Sequence, residues 1–305
     1  VARTQHVIAV DVGGTETKAA LVEASPEGAR PVRELRVPTP RRDTGEATAR
    51  AVVAEVVTLG KRLRGAEAPA AIGLVVPGLV DEASGTGVYS ANLGWRDFPF
   101  AAEVASAAGL PVAFGHDVRA GGLAELRLGA ARGSRNAVVL PIGTGIAAAL
   151  VVDGRVRALP GEVGHVDVGH GDPCGCGQTG CVEARASSAA IARRYSSLTG
   201  RAVAGAADVA ALLRAGDPAA AAVWREAVDA LARGILLVAA LLGPELVVLG
   251  GGLALAGPLL TDPLRGRLDE LASFQRLPEL RLAELGDGAG RLGAALLAID
   301  MLEET

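Results

Sequence analysis

GEVGHVDVGHGDPCGCGQTGCVE, Gly161–Glu183, holds all three cysteines of the 305-residue chain and two of its four histidines. Cys174, Cys176 and Cys181 stand within eight positions, in a segment too rich in glycine for a core strand or helix. Three thiols cannot all pair, and adjacent Cys-x-Cys geometry is poor for a disulfide. The remaining reading is a metal. Zinc takes four tetrahedral ligands, and Cys3His is a common structural set. Glycines 175, 177 and 180 let the backbone turn tightly enough to bring the thiolates together. The fourth ligand is His165 or His170. Acids flank the segment: Glu162 lies three positions before His165, and Glu183 two after Cys181.

Outward from this loop, the composition narrows the classes. Half the residues are hydrophobic and the net charge is −4. No basic run or basic patch studded with aromatics occurs, so nucleic acid has no electrostatic footprint. The first strand-like run, HVIAVDV, comes at once, with no signal segment before it. Two long apolar runs, one carrying Pro141 and the other broken at Gly243-Pro244-Glu245, fall short of the roughly 20 unbroken apolar residues of a spanning helix. A cytoplasmic protein with no membrane partner is expected.

Two glycine turns sit between apolar runs. VIAVDVGGTETKAALVEA (Val7–Ala24) reads as strand, tight turn and strand, with Asp11 ending the first run. Gly13 and Gly14 permit positive φ and close backbone approach there, and Thr15 and Lys18 follow. The turn lacks G-x-G-x-x-G and is no dinucleotide fingerprint; it lacks Gly-Lys-Ser/Thr and is no Walker loop. Such a turn presents backbone N–H groups to an anion. PIGTGIAAALVVDGRV repeats the pattern with Gly143, Thr144 and Gly145, and Asp153-Gly154 marks a second turn. Similar turns so far apart fit a duplicated domain pair. PELVVLGGG adds a buried strand, Leu246 to Leu249, before Gly250, Gly251 and Gly252, a triplet that suggests close approach by a ligand. The closing segment reads as a helix with an apolar stripe of Leu292, Ala295, Leu296 and Ile299.

The segments E-V-G-H (Glu162–His165) and C-G-C-G-Q-T-G-C-V-E (Cys174–Glu183) together resemble the signature of the ROK family of bacterial sugar kinases and sugar-responsive repressors. The glycine turns resemble the phosphate-binding turns of the wider hexokinase–actin superfamily. The resemblance runs from about Val7 to about Leu302. It implies an α/β, two-domain ribonuclease-H-like or actin-like fold with a central cleft. The domains are expected at 1–116 plus 290–305 and at 117–289, the second carrying the zinc loop. It selects His165 as the fourth ligand of a structural zinc, beside Cys174, Cys176 and Cys181.

The resemblance also implies an ATP-dependent sugar kinase working with Mg²⁺. Asp117, in LPVAFGHDVRAGGLAEL, matches the general base. An aspartate opening a helix is favoured there in any case, and the helix N-terminus keeps it ionised. His116 stands where glucokinases of the family carry Asn, at a position that contacts a sugar hydroxyl. Glu162, His165 and Glu183 match residues that grip sugar hydroxyls, and Pro77, Gly78 and Asn92 match the sugar-side turn and wall. Asp11 matches a position near Mg²⁺. Gly13, Gly14, Thr15, Lys18, Gly143, Thr144 and Gly145 match the phosphate turns, and Gly250, Gly251 and Gly252 the adenosine side. Glucose is the expected substrate. A related sugar (an amino sugar, an N-acetylhexosamine, fructose or a cyclitol) is the alternative, and a non-catalytic sugar sensor is the second class. A homodimer or homotetramer is expected.

Overall fold

The computed structural model describes residues 4–25 and 28–304. The chain begins with strands β1 (Gln5–Val12), β2 (Glu16–Ser25) and β3 (Gly28–Pro38) and helix α1 (Gly45–Leu63). Then come β4 (Ala71–Val76), the small strands β5 (Leu79–Asp81), β6 (Thr86–Tyr89) and β7 (Arg96–Phe98), and α2 (Phe100–Ala108). Strand β8 (Val112–His116) runs straight into α3 (Asp117–Leu128). Next follow β9 (Ala137–Pro141), β10 (Ala149–Val152) and β11 (Arg155–Val156), and helices α4 (Val182–Ala186), α5 (Ser188–Thr199), α6 (Ala206–Arg214) and α7 (Pro218–Leu242). The chain closes with β12 (Leu246–Gly250), α8 (Gly251–Ala254), α9 (Pro258–Leu271), β13 (Glu279–Leu282) and α10 (Ala289–Glu303).

The chain divides into two compact units, one ending at Gly129 and resuming at Asp287, the other Ala130–Gly286. The division therefore falls one helix later than at residue 116, because α3 packs on α10: Arg127 of α3 makes a two-pronged bridge to Asp300 of α10 at 2.7 and 2.8 Å. Each unit has a five-stranded sheet of the same design. The orders are β3-β2-β1-β4-β8 and β11-β10-β9-β12-β13. In each, the first three strands in sequence are antiparallel neighbours and the last two run parallel to the first. Two sheets of one topology are what the repeated glycine turns anticipated.

Strand alternation sorts the first unit's core. Ile8, Val10 and Val12 face α1 and α2, with Trp95, Phe98, Phe100 and Phe114. Val7 and Ala9 face α3 and α10, where Ala120, Ala294, Ala295 and Ala298 dominate. Small residues allow close approach, and α10 uses it. It is buried nearly all round, Gly293 and Arg291 included, rather than along the expected stripe. A Cβ on Gly73 of β4 would overlap the Ala294 carbonyl. Gly73→Ala is therefore expected to cost about 1–3 kcal/mol as overpacking, read as a lowered Tm; an unchanged Tm would show that α10 yields.

In the second unit α7 is the spine. Asp217 caps it, accepting from the Ala219 and Ala220 amides, with Pro218 in the first turn and Gly243 closing it in the left-handed conformation. Val223, Val228, Leu231 and Ile235 of this helix share a core with Val138 and Leu140 of β9 and Val247 and Leu249 of β12. Among the described residues, no helix is long and apolar enough to cross a membrane.

Candidate active site

In open α/β sheets, ligands meet the carboxyl ends of the strands. Those ends carry the first unit's polar residues. Asp11 on β1 pairs with Val75 of β4, and Val76 with His116 of β8. Pro77-Gly78 and His116-Asp117 thus leave neighbouring strand tips together. Gly78 has φ of 101°, and a Cβ there would strike the Tyr89 carbonyl, so this turn needs glycine. Asp117 opens α3, and its Oδ1 accepts the Val118 amide at 2.8 Å.

Burial pushes the Asp117 carboxyl up to about 7, and the nearby Asp11 adds to the rise; the Val118 amide and Arg119 oppose it. Asp11 is itself pushed up to about 6 by burial, against the pull of Lys18 and Arg291. Burial first and Arg119 second lower His116 to about 4, so its ring is neutral at pH 7.

The first glycine turn closes with Gly13 N–H donating to Glu16 O at 2.9 Å. Neither Gly13 nor Gly14 takes the positive φ anticipated for them. What Gly13 needs is room, since a Cβ would sit 2.7 Å from Glu16 O. Thr39 braces the turn from behind: its hydroxyl donates to Gly13 O at 2.7 Å and lies 3.0 Å from the Thr17 hydroxyl. Arg41 ties the turn to the Asn92 segment, donating to Gly14 O at 2.8 Å and Asn92 O at 2.9 Å. Asn92 and Thr15 are exposed. The Lys18 ammonium is held by Asp287, 3.3 Å from its carbonyl and 3.7 Å from Oδ2. Trp95 is fully buried, edge-on to Phe100 at 4.9 Å.

In the second unit, Gly143 N–H donates to Gly145 O at 3.0 Å, and the Ser188 amide to Gly143 O at 2.8 Å. Thr144 and Gly145 are exposed. Glu183 lies against this turn, its Oε2 accepting the Ile146 amide at 2.8 Å. The glycine triplet is stitched to the same turn: Ile142 N–H donates to Gly250 O at 2.9 Å, and Leu253 N–H to Ile142 O at 3.1 Å. Gly251 has φ of 74°, and a Cβ there would lie 2.5 Å from Ile142 O. Glycine is thus demanded at 251 by the chain's own backbone, whatever a ligand requires there; Gly252 faces open space.

Glu162 is exposed and precedes a 3-10 turn, Val163–His165. One ligand atom from each of His165, Cys174, Cys176 and Cys181 falls within a 4.8 Å span. Cys176 and Cys181 sulfurs are 3.8 Å apart, and Cys174 Sγ is 3.7 Å from His165 Nδ1. A tetrahedral ion with Zn–S near 2.3 Å has S–S edges of about 3.8 Å and S–N edges of about 3.5 Å, so the donor set fits zinc in type and spacing. Burial, then the neighbouring thiols, push Cys181 up to about 12; a cation is what would hold it as thiolate. His170 is elsewhere. Its Nδ1 accepts the Asp172 amide at 3.1 Å and its Nε2 lies 3.0 Å from Cys181 O. Both nitrogens are used, which decides between the two histidines by geometry.

Several contributors escaped the sequence reading. Glu82 accepts Arg119 Nε at 2.9 Å and the His116 amide at 3.3 Å. Arg41 and Thr39 set the first turn, and Arg291, 5 % exposed, reaches Glu34 at 3.0 Å beside Asp11. None stands in a motif.

Two duplicated sheets with glycine turns at their first hairpins define the actin-like class of phosphate-handling folds. Comparison with known proteins narrows this. The ROK family sequence profile matches residues 7–301, and the chain belongs to the ROK family. A glucokinase of Halalkalibacterium halodurans is 32 % identical over 322 residues, spanning 95 % of this chain and 94 % of that one. The crystal structure of a ROK hexokinase from Thermus thermophilus is 35 % identical with a TM-score of 0.79, covering 98 % of this chain and all of the other. A ROK glucokinase from Streptomyces griseus, crystallised with glucose and AMPPNP, is 28 % identical with a TM-score of 0.80 over 97 % of this chain and 99 % of that one.

Proposed function

We propose glucose as the acceptor of this ATP-dependent hexose kinase, phosphorylated at its primary hydroxyl to glucose 6-phosphate. The observation that carries the reading is Asp117, a carboxylate at a strand tip with its pKa brought near working pH. Phosphoryl transfer needs an aligned hydroxyl, a neutralised phosphate and a proton acceptor. Asp117 takes the proton of the sugar hydroxyl as its oxygen attacks the γ-phosphorus; the bond to the bridging oxygen breaks and ADP leaves.

On the first unit, Pro77, Gly78, Asn92 and His116 line the sugar side, and Gly13, Gly14, Thr15 and Lys18 the phosphate side. Asp11 would hold Mg²⁺ through water, and that ion, when bound, neutralises phosphate charge. On the second unit, Gly143, Thr144 and Gly145 meet phosphate, Gly250, Gly251 and Gly252 border the adenosine, and Glu162, His165 and Glu183 grip sugar hydroxyls. His165 would ligate zinc through Nδ1, leaving Nε2 for a hydroxyl. With three thiolates and one imidazole the zinc has no open position and its role is structural.

A base must be ionised to act. Turnover per KM is therefore expected to rise with pH up to about 7 and level above it. A profile flat down to pH 5.5 would remove Asp117 from this role.

A second reading, another hexose or amino sugar as substrate, is favoured by His116. A buried neutral ring offers one donor and one acceptor in a different geometry from an amide. A coupled ADP-release assay with Mg-ATP over glucose, mannose, fructose, N-acetylated hexosamines, 3-amino-glucose and a cyclitol separates them. Glucose leading the panel supports the first reading, a clear winner elsewhere the second, and silence on every sugar a non-catalytic sensor.

A further inference from the structure

His116 is 7 % exposed, at the last position of β8. Its backbone is pinned by the Glu82 carboxylate, which also holds Arg119. Its ring Nε2 lies 3.4 Å from Asp117 Oδ1, and its Nδ1 is buried without a hydrogen-bond partner. The same Oδ1 accepts the Val118 amide.

A neutral ring has two tautomers. With the proton on Nδ1, a buried N–H would face no acceptor, at about 1–3 kcal/mol, and the Nε2 lone pair would face the carboxylate. With the proton on Nε2, the ring's donor is the nitrogen nearer the Asp117 carboxylate, 3.4 Å from Oδ1, a separation that becomes a charge-assisted bond only if it shortens. Only a lone pair is then left over. A length of 3.4 Å is loose, as such contacts are before substrate arrives.

We propose that His116, as its Nε2–H tautomer, is a positioning residue for Asp117: it and the Val118 amide hold Oδ1, which assigns proton acceptance to Oδ2. The inference rests on Asp117 as the general base. Its consequence differs from the expected sugar contact. The ring's one donor is directed at the base, so the effect of His116 on rate exceeds its effect on sugar binding. The charged groups around Asp117 are Asp11 from β1 and Arg119 from its own helix, the latter paired with Glu82; Lys18, Arg291 and Asp287 surround Asp11 in turn.

The test begins with the unaltered protein. Long-range 1H–15N spectra report imidazole tautomers, and His116→Gln assigns the signal among four histidines. The expected result is neutral His116 with the proton on Nε2 at pH 8, where Asp117 is ionised; a proton on Nδ1, or a cationic ring, at that pH overturns the proposal. Next, His116→Phe keeps the site dry but removes the donor. The Asp117 carboxyl, followed by 13C, should titrate at higher pH in that variant and return toward the original midpoint in His116→Gln. On the best sugar, His116→Phe should lose about tenfold in kcat, a larger factor than the change in KM. A large KM change or reordered sugars with an unmoved Asp117 midpoint would place His116 in the sugar pocket and overturn the proposal. If no sugar is turned over, the kinase reading fails, while the ring and carboxyl titrations still decide the His116–Asp117 contact. Should the Phe variant not fold, the tautomer of the unaltered protein decides.

Discussion

Asp117→Asn is expected to remove turnover by about a thousandfold while sugar binding persists. An amide keeps the size of the side chain, and its oxygen can still accept the Val118 amide, so the strand tip and helix start should survive. It cannot take a proton. Isothermal titration with sugar, beside an ADP-release assay, checks both halves. Unchanged turnover would sink Asp117 as the base, and lost binding would mean the substitution disturbed the pocket. A stability signature accompanies it. The folded-state pKa of Asp117 is raised above its ordinary 3.8 to about 7. The folded protein therefore favours the protonated acid, and this group's contribution to stability is lost as pH climbs from about 4 through 7. The Asn variant, with no charge to bury, should melt higher than the parent at pH 8 and close to it at pH 4. A catalytic carboxylate held against its preferred state is a common trade between stability and activity.

Loss of the zinc-loop cysteines should have the largest effect on stability. Protein purified without chelator is expected to carry one zinc per chain, and Cys174→Ser or Cys181→Ser to abolish that stoichiometry. Backbone hydrogen bonds such as Gly180 N–H to Asp172 O and the Arg185–Asp172 pair shape the loop, but apolar packing is sparse: of its three cysteines only Cys181 is buried, and Cys176 is exposed. Gly177 and Gly180 hold positive φ, a conformation whose unfolded alternatives are many. Fixing each loop residue costs about 1–2 kcal/mol of entropy, which apolar contact here cannot offset and a metal can; structural zinc supplies on the order of 10 kcal/mol in small peptides. Differential scanning should show a Tm lowered by about 10 °C, the scale of several kcal/mol for a unit this size. Sugar affinity should weaken with it, since Glu162 and Glu183 flank the same loop. Metal-free protein with full stability would refute the site.

The two outcomes differ in how far ahead they could be read. The candidate metal cluster was legible because three of its donors are local: Cys174, Cys176 and Cys181 stand within eight positions. The choice of His165 over His170 was not legible from spacing. It depends on His170 having both nitrogens engaged, by Cys181 O and the Asp172 amide. The glycine turns were legible as turns, because a short polar break between apolar runs has few solutions. Why each glycine is there was not. Gly251 answers to Ile142, more than a hundred positions away in the chain, and Gly73 to Ala294.

By itself the sequence determined the two-unit α/β plan, the positions of the hairpin turns, the thiolate cluster and an aspartate at the start of a helix. The turns, the cluster and the aspartate follow from alternation, glycine placement and near-neighbour spacing, which need no knowledge of strand order; the α/β plan follows from the resemblance to the ROK family. Only the tertiary structure decided that α10, expected to rejoin the first domain, is buried almost all round. It alone brought Glu82 under His116 and Arg119, tied Arg41 across to Asn92, and set Arg291 beside Asp11. It also made Asp117 a weak acid and His116 a neutral ring. A side chain's charge state is set by what burial removes from it and by which other charges the fold brings near, and those neighbours come from strands and helices far apart in the chain.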